Sequence, residues 1–156
     1  MKPPILQVKK VCFAYQDNIV LEDLNVEVTE GELVGVVGPN GSGKTTLLQL
    51  ISGVLQPSQG EIIINGNNLT TFKPTQRARL ISIVPQNPQL PLNFTVLDLV
   101  LMGRNPHLKL LQWEQPEDLE IARLTMRITN TDHLANRSLY SLSGGERQRA
   151  TLAMAL

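Results

Sequence analysis

Two segments near the start of the chain alternate between apolar and polar residues. Residues 5–13 and 19–28 show this period of two, and the polar residues 16–18 between them fit a turn. Such alternation predicts an antiparallel pair of strands with one face in solvent. Residues 33–37 and 81–84 are instead apolar at almost every position. This second pattern predicts two buried parallel strands.

Shorter signals between these segments predict local elements. A helix is expected from residue 44 to about 52, with Gly53 as its C-terminal stop. A short strand over residues 61–64 ends in the turn signal Asn65-Gly66. Pro74 can open a short helix that runs through residue 80.

The second half of the chain has a different composition and a helical pattern. Residues 86–94 are rich in proline, asparagine and glutamine. After them, residues 95–98 have the spacing of a capping box, and Gly103 closes that helical segment. Proline and two acidic residues then predict a helix over residues 116–129. A final helix is expected to begin near Gly145.

Composition and charge narrow the class of protein. The 156 residues are enough for one domain, and 42% of them are hydrophobic, as in an ordinary globular core. Fourteen basic residues balance fourteen acidic ones, which argues against a nucleic-acid arm or a polybasic membrane anchor. The longest apolar stretch is far shorter than the ~20 residues of a membrane span. The single cysteine, Cys12, cannot form an internal disulfide, which fits a reducing compartment.

A glycine-rich run between the segment 33–37 and the first predicted helix matches the pattern G-x-x-x-x-G-K-[ST]. Glycines let the backbone curl so that N–H groups approach phosphate oxygens, and the following helix adds the positive end of its dipole. Lys44 would bring its charge to the β- and γ-phosphates, and the Thr45 hydroxyl would ligate Mg²⁺. A glycine-rich turn would match by chance in about one in two hundred chains of this size. The predicted nucleotide-binding residues are Gly38, Pro39, Asn40, Gly41, Ser42, Gly43, Lys44, Thr45 and Thr46.

The run Leu142–Arg149 carries a second candidate for anion binding. Ser143 and Glu146 have the spacing of a capping box that starts a helix. The double glycine inside this box, Gly144-Gly145, is a poor choice for capping alone, because alanine or glutamate would stabilise a first turn better. Two glycines leave the N–H groups of the helix start uncovered, which makes an anion site. Two such elements in one chain suggest that two subunits share one nucleotide.

The run Leu142–Arg149 resembles the signature motif of ATP-binding-cassette (ABC) ATPases, and residues 38–45 then resemble their Walker A loop. The resemblance covers essentially the whole chain. It implies an α/β fold, a P-loop NTPase of the ABC type with an N-terminal antiparallel β subdomain and an α-helical subdomain, lacking the C-terminal part of the core. It divides the chain into a β subdomain with the P-loop core (1–85), a helical subdomain (86–140) and the signature motif with the start of its helix (141–156).

The resemblance also assigns roles to residues outside the two motifs. Tyr15, just past a predicted strand, matches the aromatic residue that stacks on adenine; taken alone, it would be a tyrosine packed on the core. Gln86 matches the glutamine that contacts Mg²⁺ and relays nucleotide state to the helical subdomain; taken alone, it would be a loop residue. Lys44 and Gln86 are therefore the expected catalytic residues of this chain, and Thr45 and Gln86 the expected Mg²⁺ ligands.

The resemblance implies a head-to-tail dimer in which ATP is sandwiched between two subunits. Ser143, Gly144 and Gly145 would contact the γ-phosphate of ATP held by Lys44 of a second subunit. The expected partners are this second ATPase subunit, transmembrane permease subunits and, indirectly, a substrate-binding protein, with no nucleic acid. The expected location is peripheral, on the cytoplasmic face of the cell membrane.

Hydrolysis in this family needs residues that the sequence does not supply. An apolar strand ending in an aspartate and a catalytic glutamate is required, yet none of the 14 acidic residues follows four consecutive apolar positions. His107 and His133 both precede the signature, whereas the switch histidine of the family follows it. We therefore expect an incomplete cassette that is marginally stable and hydrolyses ATP negligibly. ATP turnover by the purified chain that Lys44→Ala abolishes would contradict this expectation.

The helical half of the chain indicates which cassettes it resembles most. Leu90, Leu92 and Phe94 either cover the helical subdomain from within or line a groove for a helix of the membrane subunit. The run Gly103-Arg104-Asn105-Pro106-His107 resembles importers of metal chelates, which take up ferric siderophores, haem or cobalamin. The alternatives are a soluble ABC ATPase that acts on nucleic acid or ribosomes, and a nucleotide-binding fragment without function. The zero net charge and the lack of heptads between residues 86 and 142 favour the importer.

Overall fold

The computed structural model describes residues 3–86, 88, 93–109 and 111–156. The chain divides between Arg77 and Ala78 into two compact units, which are described one at a time. The strands are β1 (Pro4–Tyr15), β2 (Asn18–Thr29), β3 (Gln59–Ile64) and β4 (Asn67–Asn68), and the helices are α1 (Lys44–Ile51), α2 (Pro74–Ala78), α3 (Val96–Met102), α4 (Pro116–Ile128) and α5 (Gly144–Ala155). Among the described residues, no helix has the length and apolar character needed to cross a membrane.

The first unit is built on a four-stranded antiparallel sheet in the order β2-β1-β3-β4. The predicted pairing of the first two alternating segments is therefore confirmed, and the turn at Asn65-Gly66 joins β3 to β4 as expected. The start of α1 lies on β2, because a side chain placed at Gly43 would meet Val20 and Leu21. The buried apolar side chains of this unit are Val8, Val11, Leu47, Leu50, Ile62, Ile64 and Leu69.

The two segments predicted as buried parallel strands are not strands in the structure. Residues 33–37 and 81–84 have no regular secondary structure, and Leu33 and Val37 are almost fully exposed. A strand needs a hydrogen-bonded neighbour, and an apolar run needs cover on both faces. Within the described residues, no segment pairs with either run. The prediction was wrong because it rested on the apolar composition of each run and did not ask which strands would pair with it.

The second unit packs three helices around one apolar core. Helix α3 begins at a capping box of Thr95 and Asp98 and ends at Gly103, as predicted. The carbonyl oxygen of Met154 in α5 lies so close to Gly103 that an added Cβ would be 2.1 Å from it. The core of this unit consists of Val96, Leu99, Val100, Ala122, Met126, Leu134, Ala135, Leu139, Leu142, Ala150 and Ala153.

The buried face of α4 differs from the face that the apolar pattern predicts. Ala122 and Met126 are buried as expected, but the apolar positions at Leu119, Leu124 and Ile128 are between 38% and 66% exposed. Polar residues take their place, since Asp118, Thr125 and Thr129 are buried. The two threonine hydroxyls donate to backbone carbonyls one turn earlier, which satisfies them inside the core.

An ion pair joins the end of α3 to the first turn of α4. Nε of Arg104 lies 2.9 Å from Oδ1 of Asp118, and the backbone N–H of Gln115 donates to Oδ2 at 2.9 Å. The hydrogen bond from Gln115 and then that from Arg104 lower the pKa of Asp118 below its ordinary value. The nearby His107 is exposed, and partial desolvation together with Arg104 and Arg79 lowers its pKa.

Asp118→Asn is expected to destabilise the chain at neutral pH and to become indistinguishable from wild type in acid. A carboxylate with a lowered folded pKa stabilises fully above its unfolded pKa, about 3.9, and loses this contribution as pH falls through the lowered value. The measurement is the thermal unfolding midpoint of both proteins from pH 7 downward. Asp17→Asn, in the exposed turn before β2, is the control and leaves the midpoint unchanged. A difference between Asp118→Asn and wild type that does not depend on pH would contradict the assignment.

Candidate nucleotide-binding site

The predicted phosphate loop ends where α1 begins. Gly43 is the N-cap residue, with a φ of 84° that favours glycine, and it offers no side chain to cap the helix. The first N–H groups of a helix have no partner within the helix. Ser42 N–H donates to the carbonyl of Pro39 at 3.3 Å, which closes the loop into a turn. The arrangement therefore presents uncapped N–H groups and the positive end of the α1 dipole to the loop.

Lys44 lies across this loop as the first residue of α1. Its Nζ donates to the carbonyl oxygens of Gly38 at 2.8 Å and Pro39 at 2.7 Å, and it lies 3.5 Å from Oγ of Ser42. The next residue, Thr45, is exposed, whereas Thr46, in the same helix, is buried. The structure thus places the ammonium group at the loop and leaves the Thr45 hydroxyl accessible.

Tyr15 is in the same unit and is linked to α1. Its hydroxyl donates to Oε1 of Gln49 at 3.4 Å, and its ring makes an edge-to-face contact with Phe13 at 4.9 Å between centroids. The residue is still 48% exposed. A tyrosine held at its tip and on one edge, with much of its surface open, is compatible with stacking on a base.

The second predicted anion site lies in the second unit, at the start of α5. Ser143 is the N-cap residue, and Gly144 and Gly145 form the first turn. Oγ of Ser143 accepts from the N–H of Glu146 at 3.3 Å, while the hydroxyl and the N–H of Ser143 both donate to Oε2 of Glu146 at 2.8 Å. These two bonds from Ser143, followed by the charge of Arg137, lower the pKa of Glu146. The capping box that the spacing predicts is therefore complete.

Gln86 belongs to the second unit and shares a groove with the signature helix. The groove is lined by Gln86, Gly144, Arg147 and Thr151, among others. The structure thus groups the predicted residues in two sets: Tyr15 and the phosphate loop in the first unit, and Gln86 with the helix start at Ser143 in the second.

The remaining candidate residues of the second half of the chain are three apolar residues of the segment 90–94 and two histidines. Leu90 and Leu92 lie outside the described residues. Phe94 is 39% exposed, and its carbonyl accepts from the N–H of Leu139 at 2.9 Å. His107 and His133 are both exposed.

Sequence reasoning missed Arg137, which contacts the signature segment at two points. The side chain lies 3.3 Å from Oε1 of Glu146 and donates to the carbonyl of Ser141 at 2.8 Å. Arg137 is in an irregular segment, where no periodicity distinguishes a bracing arginine from a solvated one. The only sequence signal for such a contact is an arginine that lies shortly before a Ser-x-x-Glu capping box.

Comparison with known proteins finds similarity along nearly the whole chain. A family model described as "ABC transporter" matches residues 21–156. The chain is 39% identical over 152 residues to the petrobactin import ATP-binding protein FpuC of Bacillus anthracis, covering 97% of this chain and 56% of that protein. It is 43% identical over 136 residues to the hemin import ATP-binding protein HmuV of Myxococcus xanthus, covering 87% of this chain and 50% of that protein.

Solved structures show the same similarity. A transporter assigned to the metal-chelate type, in an inward-facing conformation, matches with a TM-score of 0.81 and 35% identity over 97% of this chain and 55% of its own. The ADP conformation of MJ1267, an ATP-binding cassette of an ABC transporter, matches with a TM-score of 0.86 and 26% identity over 99% of this chain and 65% of its own. The chain spans about half the length of the curated relatives it matches.

Proposed function

Because the chain belongs to the ABC transporter family, we propose that it binds ATP as part of an ATPase subunit. That subunit couples ATP binding and hydrolysis to import through a membrane permease. The observation that carries the proposal is the phosphate loop with Lys44 already lying across it. The imported substrate is an iron-siderophore, haem or cobalamin. This class is supported by relatives named for petrobactin and hemin import, at 39% and 43% identity.

The phosphate groups of ATP bind at the start of α1. The uncapped N–H groups of the helix donate to phosphate oxygens, and Lys44 exchanges the carbonyls of Gly38 and Pro39 for the β- and γ-phosphates. The ring of Tyr15 stacks on adenine, which its exposed surface supports.

A magnesium ion fits the donor set of the chain. The Thr45 hydroxyl and the Gln86 amide oxygen are each a hard oxygen donor of the kind that Mg²⁺ prefers, and each would serve as a Mg²⁺ ligand. When bound, Mg²⁺ neutralises part of the phosphate charge. Thr45 is exposed beside the loop, and Gln86 is exposed in the groove of the second unit.

The start of α5 completes the site from a second subunit. Ser143, Gly144 and Gly145 would contact the γ-phosphate of ATP bound to Lys44 of that subunit, in a head-to-tail dimer. An uncovered helix start with an accessible capping serine supports this role.

The remaining partners follow from the import function. They are the permease subunits and, indirectly, a substrate-binding protein, and the subunit is peripheral on the cytoplasmic face of the membrane. Relatives that are named import or transport ATP-binding proteins support this assignment over action on nucleic acid or ribosomes.

Lys44→Ala tests the proposal directly. The substitution is expected to weaken ATP binding about 10- to 100-fold, because it removes the charged donor to two phosphate groups. The measurement is titration calorimetry with Mg-ATP on the full 156-residue chain. Lys9→Ala, which removes an exposed lysine from the middle of β1, is the matched control and leaves the affinity unchanged. Equal ATP affinity in the wild type and Lys44→Ala would refute nucleotide binding by this loop.

A further inference from the structure

Arg137 extends from a backbone that is fixed on both sides. Its N–H donates to the carbonyl of Leu134 at 2.8 Å, and its carbonyl accepts from the N–H of Val96 at the start of α3 at 3.1 Å. Leu134 and Val96 both belong to the core of the second unit. The side chain therefore starts from a well-anchored point, although it is itself 45% exposed.

The guanidinium group of Arg137 holds the signature segment at two ends. One nitrogen donates to the carbonyl of Ser141, which precedes the helix, at 2.8 Å. The other lies 3.3 Å from Oε1 of Glu146 in the first turn of α5. The planar fork of arginine suits two acceptors at once. The four residues 142–145 are thus bracketed between the two contacts.

Glu146 transmits this contact to Ser143. Its two carboxylate oxygens have separate roles: Oε1 faces Arg137, and Oε2 accepts both donors of Ser143 at 2.8 Å. The N–H of Glu146 is used by Oγ of Ser143. The N–H groups of Gly144 and Gly145 are then the other helix-start donors without an intrahelical partner. Their direction depends on how firmly this turn is held.

The bracketed turn has little stiffness of its own. Glycine has the largest conformational freedom of any residue, and two of them are adjacent here. An ion pair that is half exposed contributes little to global stability, because solvent screens it. The geometry therefore suits a role in orienting the N–H groups of Gly144 and Gly145 more than a role in stabilising the fold.

We propose that Arg137 is a positioning residue, which through Glu146 and Ser141 fixes the start of α5 for contact with ATP held by a second copy of the chain. This inference rests on the proposed function, because it takes Ser143, Gly144 and Gly145 as the contact to the partner's nucleotide. It predicts that Arg137 affects the joining of two ATP-loaded chains and not the binding of ATP to one chain.

The experiment compares wild type with three variants of the full 156-residue chain. Arg137→Ala removes the brace, and Arg137→Lys keeps the charge without the fork. Arg123→Ala is the matched control, since Arg123 pairs with Asp132 at 3.5 Å in the same unit and is also 45% exposed. Each protein is measured for ATP affinity, for thermal midpoint, and for self-association in saturating Mg-ATP by sedimentation velocity.

The expected result separates positioning from structural support. Arg137→Ala keeps ATP affinity within about 2-fold and loses about 10-fold in the association constant, the size of one charge-assisted hydrogen bond. Arg137→Lys loses about 3-fold, and Arg123→Ala associates like wild type. Thermal midpoints of Arg137→Ala and Arg123→Ala shift by similar small amounts.

The other outcomes overturn the positioning role, the paired arrangement or the proposed function, as follows. Wild-type association in Arg137→Ala, or an equal loss in Arg123→Ala, overturns the positioning role while ATP binding stands. If Arg137→Ala does not fold, wild-type association in Arg137→Lys overturns it. A wild-type chain that binds ATP without associating overturns the inference and the paired arrangement. A wild-type chain that does not bind ATP overturns the proposed function itself.

Discussion

Replacing Gly103 with alanine is expected to destabilise the second unit by about 3 kcal/mol or more, which is a large part of the stability of an ordinary domain. The new Cβ would lie 2.1 Å from the carbonyl oxygen of Met154, which is backbone and cannot turn aside. Helices α3 and α5 would have to move apart, which opens the core that they share. Thermal and urea unfolding followed by circular dichroism measure the loss.

The local backbone makes this expectation specific. Gly103 has a φ of −62°, which alanine adopts freely, and alanine is the better helix former by about 1 kcal/mol. A destabilised variant can therefore be explained only by the close approach of the two helices. Gly144→Ala is the control for stability, because no atom lies within 4 Å of its added Cβ. Unchanged stability in Gly103→Ala would show that the helices are farther apart than the structure has them.

Replacing Gly60 with alanine is expected to disrupt the sheet of the first unit, by about 3 kcal/mol or more. Gly60 is in β3, opposite an irregularity of β1 between Lys9 and Cys12. An added Cβ would lie 2.3 Å from the carbonyl oxygen of Lys10 and 2.4 Å from that of Lys9. The φ of Gly60 is also +81°, which disfavours any side chain. Equilibrium unfolding and the exchange rates of β1 amides measure the effect.

Gly66→Ala separates the two penalties at Gly60. Gly66 has a similar φ of +77°, but no atom lies within 4 Å of its added Cβ. The control therefore carries only the backbone strain, about 1–2 kcal/mol. Equal losses in Gly60→Ala and Gly66→Ala would mean that β1 can yield and that the strand contact is not tight.

Elements whose signals are local could be predicted from the sequence. The capping boxes at Thr95 and Ser143, the stop at Gly103 and the turn at Asn65-Gly66 each depend on residues within a few positions. The structure of segment 33–37 could not be predicted this way. Whether such a segment is a buried strand depends on neighbouring strands and not on its own apolar residues. The same holds for α4, where hydrogen-bonded threonines take buried positions that a hydrophobic pattern gives to leucine.

The residues of the candidate site also differ in whether their signals are local in the sequence. The phosphate loop and the signature run are continuous in sequence, so Lys44 and Ser143 can be proposed as site residues from the spacing of each motif. Arg137 is invisible to such a search, because its contacts with Ser141 and Glu146 arise only when the segment after α4 folds back on the core.

The contacts that Lys44 makes with its own loop have a consequence for the ATP binding proposed above. A free lysine side chain samples many rotamers, and this freedom must be lost when it grips a phosphate. Here the carbonyls of Gly38 and Pro39 already restrain it, so most of that entropy is lost on folding. In the proposed function this restraint would preorganise the loop, because an incoming phosphate would replace these carbonyls as the partner of an ammonium group already held there.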